Sequence, residues 1–121
     1  MNFKYVSLTP MLETLDLAGT IKFYVETIGF TCDSYSAEAR WASLKRDGVR
    51  IMFSFPNAHR NIKAPILSGS LYLRSDNVDA VWSHLKDRCS ICYPIENFKY
   101  GMREFAVFDN NGYLLQFGQA I

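Results

Sequence analysis

Cys89-x-x-Cys92 is the spacing in this chain with the most obvious chemistry, since two thiols three positions apart can hold a soft metal or cycle through a disulfide. A zinc site would need two further ligands. The third cysteine, Cys32, is remote, and the two histidines lie elsewhere, His59 in a polar, basic connecting stretch and His84 on a predicted helix. A redox pair normally opens a helix, whereas this one follows a helix and enters a strand, so the pair reads as ordinary strand-and-loop thiols. Three cysteines cannot all pair within one chain, which weighs against a secreted disulfide framework. No Ser-His-Asp or Cys-His arrangement is signalled, because His84 falls on the polar side of its helix and His59 in the connection. Glu13 and Glu104 remain as candidate general bases if a cleft encloses them.

Thirteen basic and twelve acidic side chains give a formal charge of +1, and no basic stripe interrupts that balance. Neither nucleic acid nor an anionic membrane surface has an electrostatic claim on such a chain. The opening Met-Asn-Phe-Lys-Tyr lacks the apolar run of a signal peptide, and no segment reaches the roughly 18 apolar residues that span a bilayer. A cytoplasmic location is expected.

The elements that must position these groups follow from hydrophobic period and turn chemistry. Lys4 to Leu12 is expected as a strand, followed by a helix capped by Asp16 with Leu17, Ile21, Tyr24, Val25 and Ile28 on its apolar face. Gly29 stops it. Phe30 to Ser36, Trp41 to Arg46 and Val49 to Phe55 are strands, the last two joined at Asp47-Gly48, a strong hairpin signal. After a connection over positions 57–67 the order recurs. Ser68 to Arg74 is a strand, and Asp76 or Asn77 caps a helix with Val78, Val81, Trp82 and Leu85 as its core stripe. Ser90 to Tyr93 starts a strand, Pro94 to Met102 is a longer excursion, and Arg103 to Phe108 with Tyr113 to Gln119 form a hairpin around Asp109-Asn110-Asn111-Gly112.

The two halves are copies of one unit. An offset of 61 positions maps Thr9 onto Ser70, Leu17 onto Val78, Ile21 onto Trp82, Tyr24 onto Leu85 and Phe30 onto Ile91. Three inserted residues later, Val49-Arg50-Ile51-Met52 falls opposite Tyr113-Leu114-Leu115-Gln116. The expected fold is α+β, with two tandem βαβββ modules, about 1–56 and about 68–121, forming curled mixed sheets in one domain spanning 1–121. Each module has one helix and therefore covers one sheet face, so pairing into a homodimer is expected to cover the other.

This double βαβββ order, the Asp16-Leu17 to Phe23-Tyr24 helix start, the Ile28-Gly29-Phe30 stop and the Phe108-Asp109-Asn110-Asn111-Gly112 hairpin resemble the vicinal oxygen chelate superfamily. That group includes glyoxalase I, extradiol dioxygenases, fosfomycin resistance enzymes and bleomycin resistance proteins. One fold here serves many chemistries, so the site residues must decide. Metal-dependent members place His, Gln or Glu ligands on the first and fourth strands of each module. The resemblance assigns those places to Thr9, Met52, Ser70 and Gln116, of which only Gln116 is a plausible ligand. Neighbours one position away bring no His, Asp or Glu either, so no metal and no cofactor are expected.

What remains is a pocket. Alternation along the strands sends Ala42, Leu44, Ile51, Phe53, Leu71, Leu73, Leu115 and Phe117 to the helix side. Trp41, Ser43, Lys45, Arg50, Met52, Ser54, Ser70, Tyr72, Arg74 and Gln116 then face the cleft that the resemblance implies. Met11 adds an adaptable contact, and Phe98, Tyr100 and Met102 are placed to close over a ligand from the long excursion. Trp41 and Tyr72 offer flat surfaces suited to an extended planar molecule. The stretch from Arg40 to Gly48, the run Ile51 to Pro56 and Pro10 resemble the bleomycin resistance proteins most. Those proteins are acidic and take a cationic glycopeptide, whereas this chain is neutral with Lys45, Arg50 and Arg74 in its inferred cleft. The expectation is a metal-free homodimeric binding protein that sequesters a planar aromatic, neutral or anionic compound. The alternative is a glyoxalase-like enzyme acting on a small metabolite, through Glu13, Glu104 or a metal.

Overall fold

A computed structural model describes residues 1–56, 64 and 66–121 of the 121-residue chain. It divides into two units, Met1–Ala64 and Pro65–Ile121, each holding one four-stranded sheet. His59 and most of the connection lie outside the described residues.

In the first unit the order is β1 (Met11–Glu13), α1 (Leu17–Lys22) running on as a π-helical stretch (Phe23–Ile28), β2 (Thr31–Ser36), β3 (Trp41–Arg46) and β4 (Val49–Ser54). The sheet runs β1-β4-β3-β2, with β1 parallel to β4 and the other pairs antiparallel. The second unit repeats it with β5 (Leu71–Arg74), α2 (Val78–Leu85), β6 (Ser90–Asn97), β7 (Met102–Phe108) and β8 (Leu114–Ala120), ordered β5-β8-β7-β6. The parallel registers bear out the repeat directly. Met11 pairs with Met52 in one unit and Tyr72 with Gln116 in the other, so Met52 and Gln116 hold equivalent places.

Local chemistry explains most boundaries. The Asp16 side chain accepts from the Gly19 amide at 3.0 Å, and Asn77 does the same for Ala80 at 3.2 Å, each giving an acceptor to first-turn N–H donors that have none within the helix. Gly29 ends the first helix at φ 91°, where a Cβ would also meet the Arg46 guanidinium at 2.4 Å. At Asp109 one carboxylate oxygen accepts from both the Asn111 and Tyr113 amides at 2.8 Å and fixes the last hairpin.

Three elements differ from expectation. The first strand is three residues long and starts at Met11 rather than Lys4, because Pro10 has no N–H to donate and offers the sheet only its carbonyl, to Met52 at 2.9 Å. The first helix widens to π geometry after Lys22. Its buried positions are Leu17, Thr20 and Tyr24, while Val25 is exposed. Thr20 is tolerated in the core because its hydroxyl bonds that of Thr14 at 2.8 Å. Finally, β6 continues through Pro94 to Asn97, so the expected excursion is a tight turn at 98–101. Pro94 is permitted there because β6 is an edge strand with register shifts on both sides of Tyr93.

Each core lies between helix and sheet. Tyr24 is fully buried against Phe53 and Phe30, beside Ala42, Leu44 and Ile51. In the second unit Trp82 meets Phe105 edge-on at 5.0 Å, and Phe105 stacks on Phe117 at 5.2 Å. The alternation is therefore as expected, with Trp82 on the helix side and Trp41 on a strand position of opposite parity to Ala42 and Leu44. No helix among the described residues is long and apolar enough to cross a membrane.

Candidate functional site

The sheet face turned away from the helix differs between the two units. In the first it carries Met11, Met52 and Ser43 in one cross-strand row and Glu13, Ser54 and Trp41 in the next. Met11 is 49% exposed, and Trp41, Met52 and Ser54 are half-buried. Ser43, expected to line a cleft, is 1% exposed because the Arg50 guanidinium hydrogen-bonds its hydroxyl and lies over it. Arg50 in turn pairs with Asp33 at 2.7 Å and holds that carboxyl below the usual range. The positive charge expected at Arg50 is therefore matched within its own sheet, from a β2 residue that strand alternation alone does not associate with it.

In the second unit the equivalent rows are Tyr72, Gln116, Ala106 and Tyr93, and Arg74, Gly118, Glu104 and Glu96. Glu104 is the centre. Its carboxylate is 1% exposed, accepts from the Tyr72 hydroxyl at 2.9 Å on one oxygen and from the Tyr93 hydroxyl on the other, and is also reached by the Tyr100 hydroxyl. The Gln116 amide donates to the Tyr93 oxygen at 2.9 Å and lies 3.5 Å from Glu104, and Ser70 donates to the Gln116 carbonyl at 2.5 Å. Burial alone would raise the Glu104 carboxyl, but the hydroxyls of Tyr93, Tyr100 and Tyr72 outweigh it and the net shift is downward. The same contacts act oppositely on the phenols. Burial, then the bond to Glu104, pushes Tyr72 up to about 12, and Tyr93 is raised further for the same reasons.

Gly118 makes this geometry possible. A Cβ there would lie 2.1 Å from the Tyr72 oxygen and 2.8 Å from its Cζ, so the phenol crosses the strand where only glycine leaves room. Phe98 packs on Tyr93 at 5.6 Å and stacks on Tyr100 at 5.3 Å with 15° between the rings. Both aromatics belong to the short 98–101 turn, and Met102 begins β7, so the long closing segment expected over the ligand is a compact aromatic corner instead. Arg74 is exposed at the end of β5.

Of the expected residues, Ser70, Tyr72, Tyr100 and Gln116 thus join one network, while Met11, Trp41, Met52 and Ser54 share a face of the other unit. Sequence alone marks Glu104 only as a candidate base and Tyr93 only as a strand residue. Period two from Ile91 sends Tyr93 to the helix side with Ile91; the register shift between them, which moves the pairing from Val107 to Ala106, turns Tyr93 to the opposite face, and alternation carries no signal for it. The first unit also has a groove of about 380 Å³ lined by Leu15, Leu17, Tyr35, Arg40 and Phe55 among others, with Arg40 over the Phe55 ring at 4.0 Å. None of the expected ligand-contacting residues lines it.

Residues 10–117 match the Glyoxalase/Bleomycin resistance protein/Dioxygenase superfamily, and the chain belongs to that superfamily. Among solved structures it is similar to TnmS3, an antibiotic binding protein from Streptomyces sp. CB03234, at 24% identity and TM-score 0.77, with 100% of this chain and 99% of that one covered. It is similar to the bleomycin-binding protein of Streptomyces verticillus complexed with copper(II)-bleomycin, at 23% identity and TM-score 0.72, covering 95% and 96%. A protein of unknown function from Agrobacterium tumefaciens str. C58 matches at 15% identity and TM-score 0.80 over 99% and 98%. A search of curated proteins gives no match.

The metal that many superfamily members carry does not suit this donor set. Ser70 and Gln116 are bonded to each other, the Met52 place offers a thioether, and Glu104 is committed to tyrosine hydroxyls. Among the described residues no group of three or more His, Cys, Asp or Glu side chains is arranged to hold an ion.

Proposed function

We propose that this chain is a binding protein of the bleomycin-resistance type, sequestering a planar aromatic compound without metal or turnover. The observation that supports it most is the satisfied state of the Glu104 network. A carboxylate that already accepts from several phenols, and whose basicity those phenols lower, is a poor general base but a rigid floor for a ligand. Trp41, Met11 and Met52 add flat and adaptable apolar surface on the first unit. In this reading the two units act as modules of one domain, and two copies of the chain pair to complete the cleft. The ligand is neutral rather than anionic, because Arg50 is matched by Asp33 and Glu104 contributes a buried negative charge of its own.

Native mass spectrometry of the purified protein, followed by titration of planar aromatics against tryptophan fluorescence, tests this reading. A dimer binding such compounds unchanged and with one-step saturation is expected. Conversion of the compound to product, or a stoichiometric metal whose removal abolishes binding, would overturn it in favour of the glyoxalase-like enzyme, with Glu13 as the remaining acid–base candidate.

A further inference from the structure

The side-chain hydrogen bonds that converge on Glu104 all run one way. Glu104, as a carboxylate, can only accept, so Tyr72 and Tyr93 each spend their single proton on it. The Gln116 amide nitrogen must then face the Tyr93 oxygen and Glu104, which turns its carbonyl towards Ser70 and draws the serine proton inward. Every proton in the chain from Ser70 through Gln116 and Tyr93 points at the buried carboxylate. What is left to the oxygens of Tyr72, Ser70 and Tyr100, the last of which also gives its proton to Glu104, is lone pairs; Tyr72 is 42% exposed, Tyr100 64% and Ser70 half-buried. The Tyr93 oxygen is already used by Gln116. Among the described residues no other donor reaches the Tyr72 oxygen.

We propose that this one-way network is a donor-selecting subsite, which accepts a hydroxyl or amino group of the bound compound at the Tyr72 and Ser70 oxygens and rejects a carboxylate or a bare ether there. The physical basis is that lone pairs brought against an acceptor-only group repel it and leave both desolvated, whereas a hydroxyl completes the network. The inference rests on the reading of this face as a ligand site, and it names the chemistry that face selects.

Three probes of one shape separate the possibilities: 2-naphthol, 2-methoxynaphthalene and 2-naphthoate, titrated calorimetrically at pH 7 into the full chain. The expected order is 2-naphthol first, by roughly tenfold or more over the methyl ether, which lacks the donor, with 2-naphthoate weakest. Tyr72→Phe should reduce the preference for naphthol over the ether to about twofold. Glu104→Gln should go further, because the new amide must donate to one tyrosine oxygen and so frees that phenol proton to point outward, shifting preference towards the ether and the carboxylate. A purely structural role for Glu104 would weaken all three probes alike. If 2-naphthoate or the ether binds the unaltered chain as tightly as 2-naphthol, or if Tyr72→Phe leaves the preference intact, the donor-selecting subsite is wrong while the ligand site stands. If none of the three binds, both fall.

Discussion

The Tyr72 hydroxyl donates to Glu104 at 2.9 Å by crossing Gly118, whose missing side chain is the space the phenol occupies. Two residues on β5 and β7 are thereby joined over the β8 strand that separates them. The contact converts a cross-strand position into a fixed hydrogen-bonding site, and it depends on a single absent methyl group.

Gly118→Ala should therefore displace Tyr72 and destabilise the fold by about 1–3 kcal/mol, the usual range for an overpacked site. Urea denaturation checks the value. In a Tyr72→Ala background the same substitution should cost little, and an equal cost in both backgrounds would show that the glycine serves something other than the phenol.

Glu104 is held below its reference value of 4.5, so the stability it contributes is complete above that value and is lost as pH falls through the lower, folded one. The stability gap between the parent chain and Glu104→Gln should be constant from neutral pH down to about 5 and narrow below 4.5. Denaturation midpoints across that range measure it. A gap that widens in acid would mean the carboxyl is protonated in the folded state.

At the alkaline end the sign reverses. Tyr72 is raised from 10.0 to about 12, so its contribution is present below pH 10 and disappears as pH rises towards 12. Absorbance titration at alkaline pH should show most tyrosines ionising near the ordinary value and a late group that Tyr72→Phe reduces by one. Loss of an early-titrating tyrosine in that variant would contradict the buried hydrogen bond.

The two tryptophans should respond differently to truncation. Trp82 packs on Phe105 beneath the helix, so Trp82→Ala should lower stability by about 3 kcal/mol, the low end for a buried aromatic because the ring is only half-buried. Trp41→Ala should cost less stability than Trp82→Ala and weaken a planar ligand by about 1–3 kcal/mol, as for an aromatic hot spot. Fluorescence titration of each variant with 2-naphthol tests the pair. An equal loss of affinity in both would dissolve the distinction between the two faces.

Much was determined by sequence alone, because it depends on local chemistry and on period. The double βαβββ order, the Asp16 cap and a second cap at Asp76 or Asn77, the Asp47-Gly48 and Asp109-Gly112 turns and the sorting of Leu44, Ile51, Phe53, Leu115 and Phe117 to the helix side all follow from residues a few positions apart. Even the equivalence of Met52 and Gln116 was legible, since a repeat transmits register without any contact being known. Tertiary structure decided the chemistry. Whether Arg50 offers a free charge depends on Asp33, seventeen positions away at a bulge in β2, two strands over in the sheet. Whether Glu104 is a base or a sink for phenol protons depends on Tyr72 and Tyr93, brought to it across a sheet whose β6–β7 register shifts twice. Alternation states which face a side chain takes. Which donor meets which acceptor on that face is set by strand order and bulges, and these are properties of the packed sheet rather than of any one strand.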